Sequence, residues 1–388
     1  MPRTIYLDYN ATTPLDPAVR TAMQPFLGEV WGNPSSVHHV GRKARAWLDE
    51  ARDRAATFLG AKPSEIIFTS GGTEANNLAI LGTARALKSK GKHLITSAIE
   101  HHSVLQCFDY LEKNDGFSVT RLPVNVDGRV LVDDLKKAVR SDTVLVSVMA
   151  ANNEIGTIHP VSELGSFCRN RGIVFHTDAV QWFGKEPFVN LGQFNADLVS
   201  LCAHKFHGPK GAGLLFIKSP LHPDPIMFGG AHENERRAGT ENLPAISGLI
   251  VAIENFVKIP VFDGFKLKPL VDRLAEVVLN IEGCVSVSPK VGVLNNTLSF
   301  TVRGSDGISL MAGLDVEGIC ASSGSACSAG SLIPSHVIMA LDKKNVSNSL
   351  VRFSLGRETT GEEINYVCSV LPEVIHRVQH GRKAENRL

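Results

Sequence analysis

The sequence predicts an α/β protein whose main sheet is mostly parallel and covered by helices on both faces. Short apolar runs typical of buried strands alternate with segments of about 10–15 residues in which apolar residues recur at helical spacing. The alternation continues to about residue 260, and polar residues directly follow several of the apolar runs. Beyond that point the pattern changes to a smaller α+β unit. We therefore predict a large domain over 15–258 and a small domain formed by 1–14 and 259–388.

Caps, glycines and periodicity place the elements in chain order. Asp16 and Pro17 begin the first helix, because aspartate caps a helix start and proline suits the first turn. The predicted large-domain order is helix 17–26, helix Val40–Leu59, strand Glu65–Thr69, helix Thr73–Leu87, strand His93–Ser97, helix Ser103–Lys113, strand Phe117–Leu122, helix Val132–Val139, strand Val144–Met149, helix Val161–Arg171, strand Ile173–His176 and strand Ala196–Leu201. The small domain follows with helix Leu267–Ile281, strands Val285–Val287 and Thr297–Val302, helix Asp306–Leu314 and strand Leu350–Ser354.

Composition argues against several classes of protein. Charged residues make up 20% of the chain, apolar residues 43%, and the formal net charge is +1, so no strong field attracts nucleic acid or an anionic membrane. No run approaches the roughly 18 apolar residues of a membrane span, and the first residues resemble neither a signal nor a transit peptide. Seven cysteines without a CxxC pair are typical of reduced thiols. We expect a cytoplasmic enzyme without nucleic-acid or membrane partners.

A lysine, an acid and an amide follow two neighbouring predicted strands. Lys205 comes after strand Ala196–Leu201, and Asp178 and Gln181 follow the strand that ends near residue 176. Ligands of such sheets bind at the carboxyl ends of strands. This set suits pyridoxal phosphate, because a lysine can form a Schiff base with its aldehyde and an acid can hold the pyridine nitrogen protonated. The pattern therefore predicts a reaction on an amino acid.

Segment 70–77 combines a strand end, a glycine turn and a helix start. Backbone N–H groups at a helix start, with the hydroxyl of Thr73 beside Gly72, can bind an anion. The segment could hold the cofactor phosphate or could be an ordinary capped helix start. It is not a Walker loop, because no Gly-Lys-Ser/Thr follows. A second glycine-bounded loop, 229–242, contains Thr240, which could reach a phosphate across a dimer interface.

Three further polar residues each have a functional and a structural interpretation. His101 could stack on a cofactor ring or begin a helix, and no partner residues at metal-site spacing accompany it, so we predict no metal. Asn153, after strand Val144–Met149, could bind a ligand or belong to an Asx-turn. Arg352 could bind a substrate carboxylate with both ends of its fork or form a surface salt bridge.

Cys327 lies in a loop of small residues, Ala321–Ser331. A nucleophilic thiol needs access and either a nearby base or a lowered pKa, whereas a core cysteine needs apolar flanks, which this loop lacks. We therefore predict that Cys327 is catalytic. Cys202 is the other cysteine close to the chemistry, beside Lys205. The remaining cysteines that we expect in the apolar core are Cys107, Cys168, Cys284 and Cys368.

Taken together, these segments resemble the cysteine desulfurases of the nitrogen-fixation and iron–sulfur-cluster type. These enzymes belong to the class V aminotransferase family and have pyridoxal-phosphate fold type I. The resemblance runs from Tyr6–Pro14 through Gly32–Ser36 to Arg352–Arg357 and so covers nearly the whole chain. It implies a seven-stranded large-domain sheet, a homodimer, L-cysteine as substrate, and a sulfur-acceptor protein, such as an iron–sulfur scaffold, as partner.

The resemblance also implies how single residues hold the cofactor. Lys205 would form the Schiff base and carry protons, while Asp178 would pair with the pyridine nitrogen. Gln181 would pair with the ring hydroxyl, and His101 would stack on the ring and take part in proton transfer. The further cofactor contacts would be Gly72, Thr73, Asn153, Cys202, His204 and Thr240, the last reaching in from the partner subunit.

The implied reaction converts L-cysteine to L-alanine. Asn153 and Arg352 would hold the substrate carboxylate, and Cys327 would take the sulfur as a persulfide for the synthesis of iron–sulfur clusters or other sulfur cofactors. Cys202 stands where serine is common in the family, and because a thiol is the weaker donor we expect modestly weaker cofactor binding. Three alternatives stay open: a selenocysteine lyase, a related aminotransferase that would not need Cys327, and a scaffold without catalysis.

Overall fold

A computed structural model describes residues 4–324, 335–341 and 349–385 of the chain, with side chains up to residue 380. Its strands are β1 Ile5–Tyr6, β2 Ile66–Thr69, β3 His93–Ser97, β4 Ser118–Leu122, β5 Thr143–Ser147, β6 Val174–Asp178, β7 Leu198–Cys202, β8 Gly213–Ile217, β9 Cys284–Ser286, β10 Thr297–Val302, β11 Ile319–Cys320 and β12 Leu350–Ser354. Its α-helices are α1 Pro17–Gly28, α2 His39–Leu59, α3 Gly72–Asn77, α4 Thr83–Ala86, α5 His102–Asn114, α6 Val132–Ala138, α7 Val161–Arg169, α8 Leu243–Phe256, α9 Gly264–Leu279, α10 Gly307–Val316, α11 His336–Ala340 and α12 Gly361–Glu385.

The central sheet has seven strands in the order β2-β8-β7-β6-β5-β3-β4. Strand β8 is antiparallel to both neighbours, and the other six strands run in one direction. This confirms the predicted mostly parallel, seven-stranded sheet. Strands β2, β3, β5, β7 and β8 are buried along their whole length, as strands covered by helices on both faces must be.

The parallel strands bring separate parts of the sequence to one edge of the sheet. Gly72 follows β2, His101 follows β3, Asn153 follows β5, Asp178 ends β6, and Lys205 follows β7. Because parallel strands end on the same side, these five residues lie at the same edge. The polar segments singled out in the sequence therefore converge for a topological reason.

The buried apolar side chains form several clusters. The largest extends from Val19 to Val257 and packs helices such as α1, α2 and α8 against one face of the central sheet. Another joins Ile5 and Leu7 to residues between 262 and 375, around the antiparallel sheet β12-β10-β9. The domain division stays a prediction, although both clusters are compatible with it. No helix within the described ranges is long and apolar enough to cross a membrane.

The structure corrects several local predictions. The predicted order contains no strand after Ala196–Leu201 in the large domain, but the apolar run that follows Lys205 returns as β8. The predicted single helix Thr73–Leu87 is interrupted by a π-helical turn, Leu78–Gly82. Cys284 is only partly buried because it lies on β9, an edge strand, and Cys368 on α12 is also partly buried.

Candidate active site

A cavity of about 220 Å³ opens at the carboxyl edge of the central sheet. Ten of the predicted site residues line it: Gly72, Thr73, His101, Asn153, Asp178, Gln181, Cys202, His204, Lys205 and Arg352. The lining therefore combines strand ends of the central sheet with β12. The structure places these residues together, while the function of each stays a prediction.

The Lys205 amine lies in the wall of this cavity between two backbone carbonyls. Its Nζ donates to the carbonyl oxygens of Asn10 and Ala11, both at 2.8 Å. Burial lowers the pKa of Lys205, and the Arg352 cation lowers it further, while Cys202 acts in the opposite direction. A larger share of the amine is therefore neutral than in an exposed lysine, as a nucleophilic amine or proton acceptor requires.

Asp178 is fixed at the end of β6 by two donors. Its Oδ2 accepts from Asn76 Nδ2 at 2.7 Å, and its Oδ1 accepts from the backbone N–H of Val180 at 3.0 Å. Asn76 Nδ2 also donates to the Ser103 hydroxyl at 2.9 Å. Within the described part of the chain, the buried oxygen Asn76 Oδ1 has no hydrogen-bond partner. The carboxylate is 5% exposed and keeps further acceptor capacity at the cavity.

His101 caps helix α5 and also lines the cavity, so its two interpretations do not exclude each other, and stacking on a cofactor ring stays a prediction. Its Nδ1 accepts from the backbone N–H of Ser103 at 3.1 Å and contacts the Ser103 hydroxyl at 2.8 Å. Since Nδ1 is an acceptor, the neutral ring carries its proton on Nε2. Burial lowers the pKa of His101, which favours this neutral form.

One corner of the cavity, which we call the glycine corner, lies around Gly72 and combines backbone donors with uncharged side chains. A Cβ added to Gly72 would lie 2.8 Å from Val180 Cγ2, so only glycine fits there without a shift. The backbone N–H groups of Gly72 and His204 point at the Cys202 thiol, and burial raises the pKa of that thiol to about 11. Burial, with the nearby Lys205 cation, lowers the pKa of His204 to about 3. Both side chains are therefore uncharged near neutral pH.

Arg352, on strand β12, is buried in the cavity wall. It is 1% exposed, its Nη2 donates to Asp8 Oδ1 at 2.5 Å, and its Nη1 donates to the Asn153 carbonyl at 2.9 Å. The alternative of a surface salt bridge is therefore wrong. The Asx-turn considered for Asn153 is instead formed by its neighbour Asn152, whose Oδ1 accepts from the backbone N–H of Glu154 at 2.8 Å.

Two predicted residues are not in the cavity wall. Thr240 is exposed and does not line it, so its contact across a dimer stays a prediction. Cys327 lies in segment 325–334, outside the described residues. The residues that flank this segment do approach the site: Ser335 Oγ donates to Glu154 Oε2 at 2.5 Å, and a Cβ on Gly324 would lie 3.0 Å from the same oxygen.

Sequence reasoning missed the side chains that hold the predicted residues in place. Asn10, Asn76 and Ser103 line the cavity, and Asp8 pairs with Arg352. Two signals were available. Asp8 directly follows the run Ile5–Leu7 near the start of the chain, and Asn10 lies two residues further on. Asn76 lies three residues after Thr73 on the same helix face.

The lining fits pyridoxal phosphate. It offers an amine of lowered pKa, a carboxylate held by two donors, and an uncharged imidazole. The glycine corner leaves room for a group to approach the backbone closely, because a side chain at Gly72 would collide with Val180. These are the groups that the cofactor's aldehyde, pyridine nitrogen, ring face and phosphate require.

Comparisons with known proteins identify the family of the chain. The Aminotransferase class-V model matches residues 5–367. The "Cysteine desulfurase IscS" of Dictyoglomus turgidum is 46% identical over 388 residues, which cover 98% of this chain and 96% of that protein. A solved "NifS-like protein" is 35% identical with a TM-score of 0.89, covering 96% of this chain and 100% of that one. "SspA in complex with cysteine" is 34% identical with a TM-score of 0.80, covering 92% and 100%. The chain belongs to the class V aminotransferase family, among its cysteine desulfurases.

Proposed function

We propose that this protein is a pyridoxal-phosphate-dependent cysteine desulfurase that converts L-cysteine to L-alanine and retains the sulfur as a persulfide on Cys327. One observation carries the proposal. The Lys205 amine, the Asp178 carboxylate and the Arg352 guanidinium line a single cavity. The curated relatives reported above support the same activity, and one solved relative is described as a complex with cysteine.

The residues of the sheet edge would hold the cofactor. When bound, pyridoxal phosphate would supply an aldehyde that captures an amine covalently and a ring that withdraws electrons from the α-carbon of an amino acid. Asp178 would hold a proton at the pyridine nitrogen, and Gln181 would donate to the ring hydroxyl oxygen. The corner formed by Gly72, Thr73 and His204 would take the phosphate.

Lys205 would move the protons. Its lowered pKa keeps part of the amine neutral, so it can accept the α-proton of the substrate and return it to another atom. The carbonyl oxygens of Asn10 and Ala11 hold Nζ at 2.8 Å and stabilise the amine through its own N–H groups. The neutral His101 ring would carry a second transferable proton on Nε2.

Arg352 and Asn153 would bind the substrate carboxylate. Arg352 is already buried with one end of its fork on Asp8 and the other on the Asn153 carbonyl, while its buried Nε has no partner among the described residues. A carboxylate that enters the cavity could replace a neutral carbonyl on this fork with a charged acceptor, which forms the stronger hydrogen bond.

The sulfur transfer balances without an external oxidant or reductant. The carbon–sulfur bond of L-cysteine breaks, a sulfur–sulfur bond to Cys327 forms, and two protons return to the carbon skeleton and the persulfide, giving L-alanine and Cys327–S–SH. A thiolate is the required nucleophile. The flanks Gly324 and Ser335 lie beside Glu154, next to the cavity residue Asn153, and this supports Cys327 as the acceptor.

The partners follow from the same proposal. The persulfide would pass to a sulfur-acceptor protein, and the enzyme would act in the cytoplasm for iron–sulfur cluster or other sulfur-cofactor synthesis. We propose a homodimer in which Thr240 of the partner subunit completes the phosphate corner. Two observations support this contact. Thr240 is exposed, and its loop is connected to the site because Arg237 forms an ion pair with Glu74 at 2.7 Å.

Incubation with L-cysteine tests the function. We expect alanine to be released, and mass spectrometry of tryptic peptides to find one added sulfur atom on the peptide that contains Cys327. The Cys327→Ser variant should bind the cofactor but lose both signals. Alanine release that persists in Cys327→Ser would favour a family aminotransferase that needs no thiol, and a chain that binds no cofactor would leave only a scaffold.

The selenocysteine alternative is not favoured by the relatives reported above, which are named for cysteine. Steady-state rates on the two amino acids separate the alternatives. We expect substantial turnover of L-cysteine, and negligible turnover would contradict the proposed function.

A further inference from the structure

A second lysine, Lys185, lies behind the cavity wall. It is 4% exposed and does not line the cavity, yet it follows the site residue Gln181 by four residues in the same turn segment. Its Nζ donates to Asn10 Oδ1 at 2.6 Å and to Gln181 Oε1. Both partners are amide oxygens rather than carboxylates. A buried lysine that binds two neutral amides calls for an explanation other than an ion pair.

The surroundings of Lys185 favour its neutral form. Burial lowers the pKa of Lys185 well below its usual value, and the cations of Lys205 and Arg352 lower it further. A neutral amine has two N–H groups, which matches the two amide oxygens that it contacts. The Phe262 ring, with its centroid 5.3 Å from Nζ, packs nearby.

The amine is a hydrogen-bond donor to the side-chain oxygens of both amides. The oxygen and nitrogen of an amide side chain have nearly the same shape, so only hydrogen bonds decide its orientation. Lys185 uses its N–H groups as donors here, and both oxygens face it. Asn296 Nδ2 also donates to Asn10 Oδ1, at 3.1 Å, whereas no other donor holds the Gln181 oxygen among the described residues. The Gln181 amide nitrogen, Nε2, therefore faces away from Lys185, and it donates to the backbone carbonyl of Asn10 at 3.0 Å.

The same Asn10 carbonyl is a contact of Lys205. It accepts from Lys205 Nζ at 2.8 Å, so the Gln181 nitrogen and the Lys205 amine meet at one oxygen. The Asn10 side chain is held as well, because its Nδ2 donates to Thr297 Oγ1 at 2.9 Å. Lys185 thus acts on the environment of Lys205 through two amide groups without touching the cavity.

We propose that Lys185 is a positioning residue that keeps the Gln181 amide with its N–H groups, not its oxygen, directed at the cavity beside Lys205. The site then presents a donor to the ring hydroxyl oxygen of pyridoxal phosphate. This proposal rests on the proposed function, because it takes Gln181 as the partner of that oxygen. Without Lys185 only the hydrogen bond of Nε2 to the Asn10 carbonyl holds the amide in this orientation, and a turned amide would place its oxygen against the ring hydroxyl oxygen.

The Lys185→Met variant tests the proposal, because methionine keeps an unbranched chain but removes the donors. We expect equilibrium dialysis to show about tenfold weaker binding of pyridoxal phosphate to the cofactor-free protein, the effect of one lost hydrogen bond. The pH midpoint of the visible absorbance should also rise, since a ring oxygen without its donor is more basic. Lys137→Met, on a side chain that is 77% exposed, is the matched control and should match the wild type.

A double-mutant cycle with Gln181→Met separates positioning from stability. If Lys185 acts through Gln181, adding Lys185→Met to Gln181→Met should weaken binding less than about twofold. An equal loss in both backgrounds, or wild-type affinity and absorbance in Lys185→Met, would overturn the proposal. Failure of the wild type itself to bind the cofactor would instead reject the proposed function.

The Lys185→Gln variant keeps the experiment decisive if Lys185→Met does not fold. Glutamine offers two N–H groups one atom closer to the backbone, so we expect it to retain most of the wild-type affinity and the wild-type pH midpoint. Thermal melting without the cofactor reports folding separately. A Lys185→Gln protein that folds normally but shows a tenfold loss in both Gln181 backgrounds would contradict the positioning mechanism.

Discussion

The two sides of the cavity are built in different ways. On the sheet side, Asp178 ends β6 and Lys205 follows the adjacent strand β7. Backbone groups contact both side chains, and Asn76 also donates to Asp178. On the β12 side, Arg352 meets Asp8 from the other end of the chain, and a buried ion pair of 2.5 Å holds them together. The sheet side is therefore a consequence of strand order, whereas the β12 side depends on one pair of charges. Changes on the sheet side should affect the cofactor, and changes on the β12 side should affect the substrate.

Lys205→Ala should abolish the function of the sheet side of the cavity. Without the amine, the covalent bond to the cofactor and the transfer of the α-proton are both lost, so alanine formation should fall about 10³-fold or more. The visible absorbance of the purified protein should disappear with it. Lys210→Ala, an exposed lysine in the same segment, is the control and should keep both signals. A yellow, active Lys205→Ala protein would contradict the assignment.

Arg352→Met should affect the β12 side alone. We expect kcat/KM for L-cysteine to fall about a hundredfold, equivalent to about 2.8 kcal/mol, mainly through a higher KM. Cofactor absorbance should remain. Arg357→Met removes a partly exposed arginine that pairs with Asp16, and this control should change KM little. Loss of the absorbance in Arg352→Met would mean that the two sides are not separable.

The same difference explains how much could be predicted from the sequence. Asp178, Lys205 and His101 were predictable because polar residues at the ends of parallel strands must share an edge. The pairing of Asp8 with Arg352 was not predictable, because the two residues meet only after the whole chain has folded, and no local pattern records that contact.

Strand β8 was missed for a related reason. Helix–strand alternation predicts parallel strands, and β8 returns from β7 with only a single 3-10 turn and no α-helix between them. The hydrogen bonds of Asn76 and Gln181 were equally hidden, because the orientation of an amide depends on neighbours from elsewhere in the fold.

Acidic pH should lower the free energy of unfolding through His176, which lies in the central sheet. This fully buried ring on β6 bridges Ser147 Oγ at 2.8 Å and Ser200 Oγ at 3.0 Å, and burial lowers the pKa of His176 to about 3. Between about pH 6.5 and 3 His176 is protonated in the unfolded chain but stays neutral in the folded chain. The stability that His176 contributes is therefore complete above about pH 6.5 and is lost as the pH falls.

Urea unfolding of the wild type and His176→Gln measures this effect. Between pH 7 and pH 5 the wild type should lose about 2 kcal/mol more unfolding free energy than the variant. Identical pH dependence in the two proteins would show that His176 is not held neutral.

Cys202→Ser should produce the smallest change, in the glycine corner of the sheet side. A hydroxyl is a stronger donor than the protonated thiol, so pyridoxal phosphate should bind about threefold more tightly. Dialysis against the cofactor measures the ratio. Weaker binding in Cys202→Ser would mean that the thiol's size, rather than its donor strength, matters at this position.

The reversed strand β8 has a consequence for how the protein folds. Strands β7 and β8 pair across a short connection, and that connection carries Lys205. Pairing between neighbours in sequence closes a small loop and therefore forms early, whereas pairing between distant segments forms late. We expect the β7–β8 hairpin to form early in the nascent chain. Asp8 and Arg352 should come together near the Lys205 amine only later.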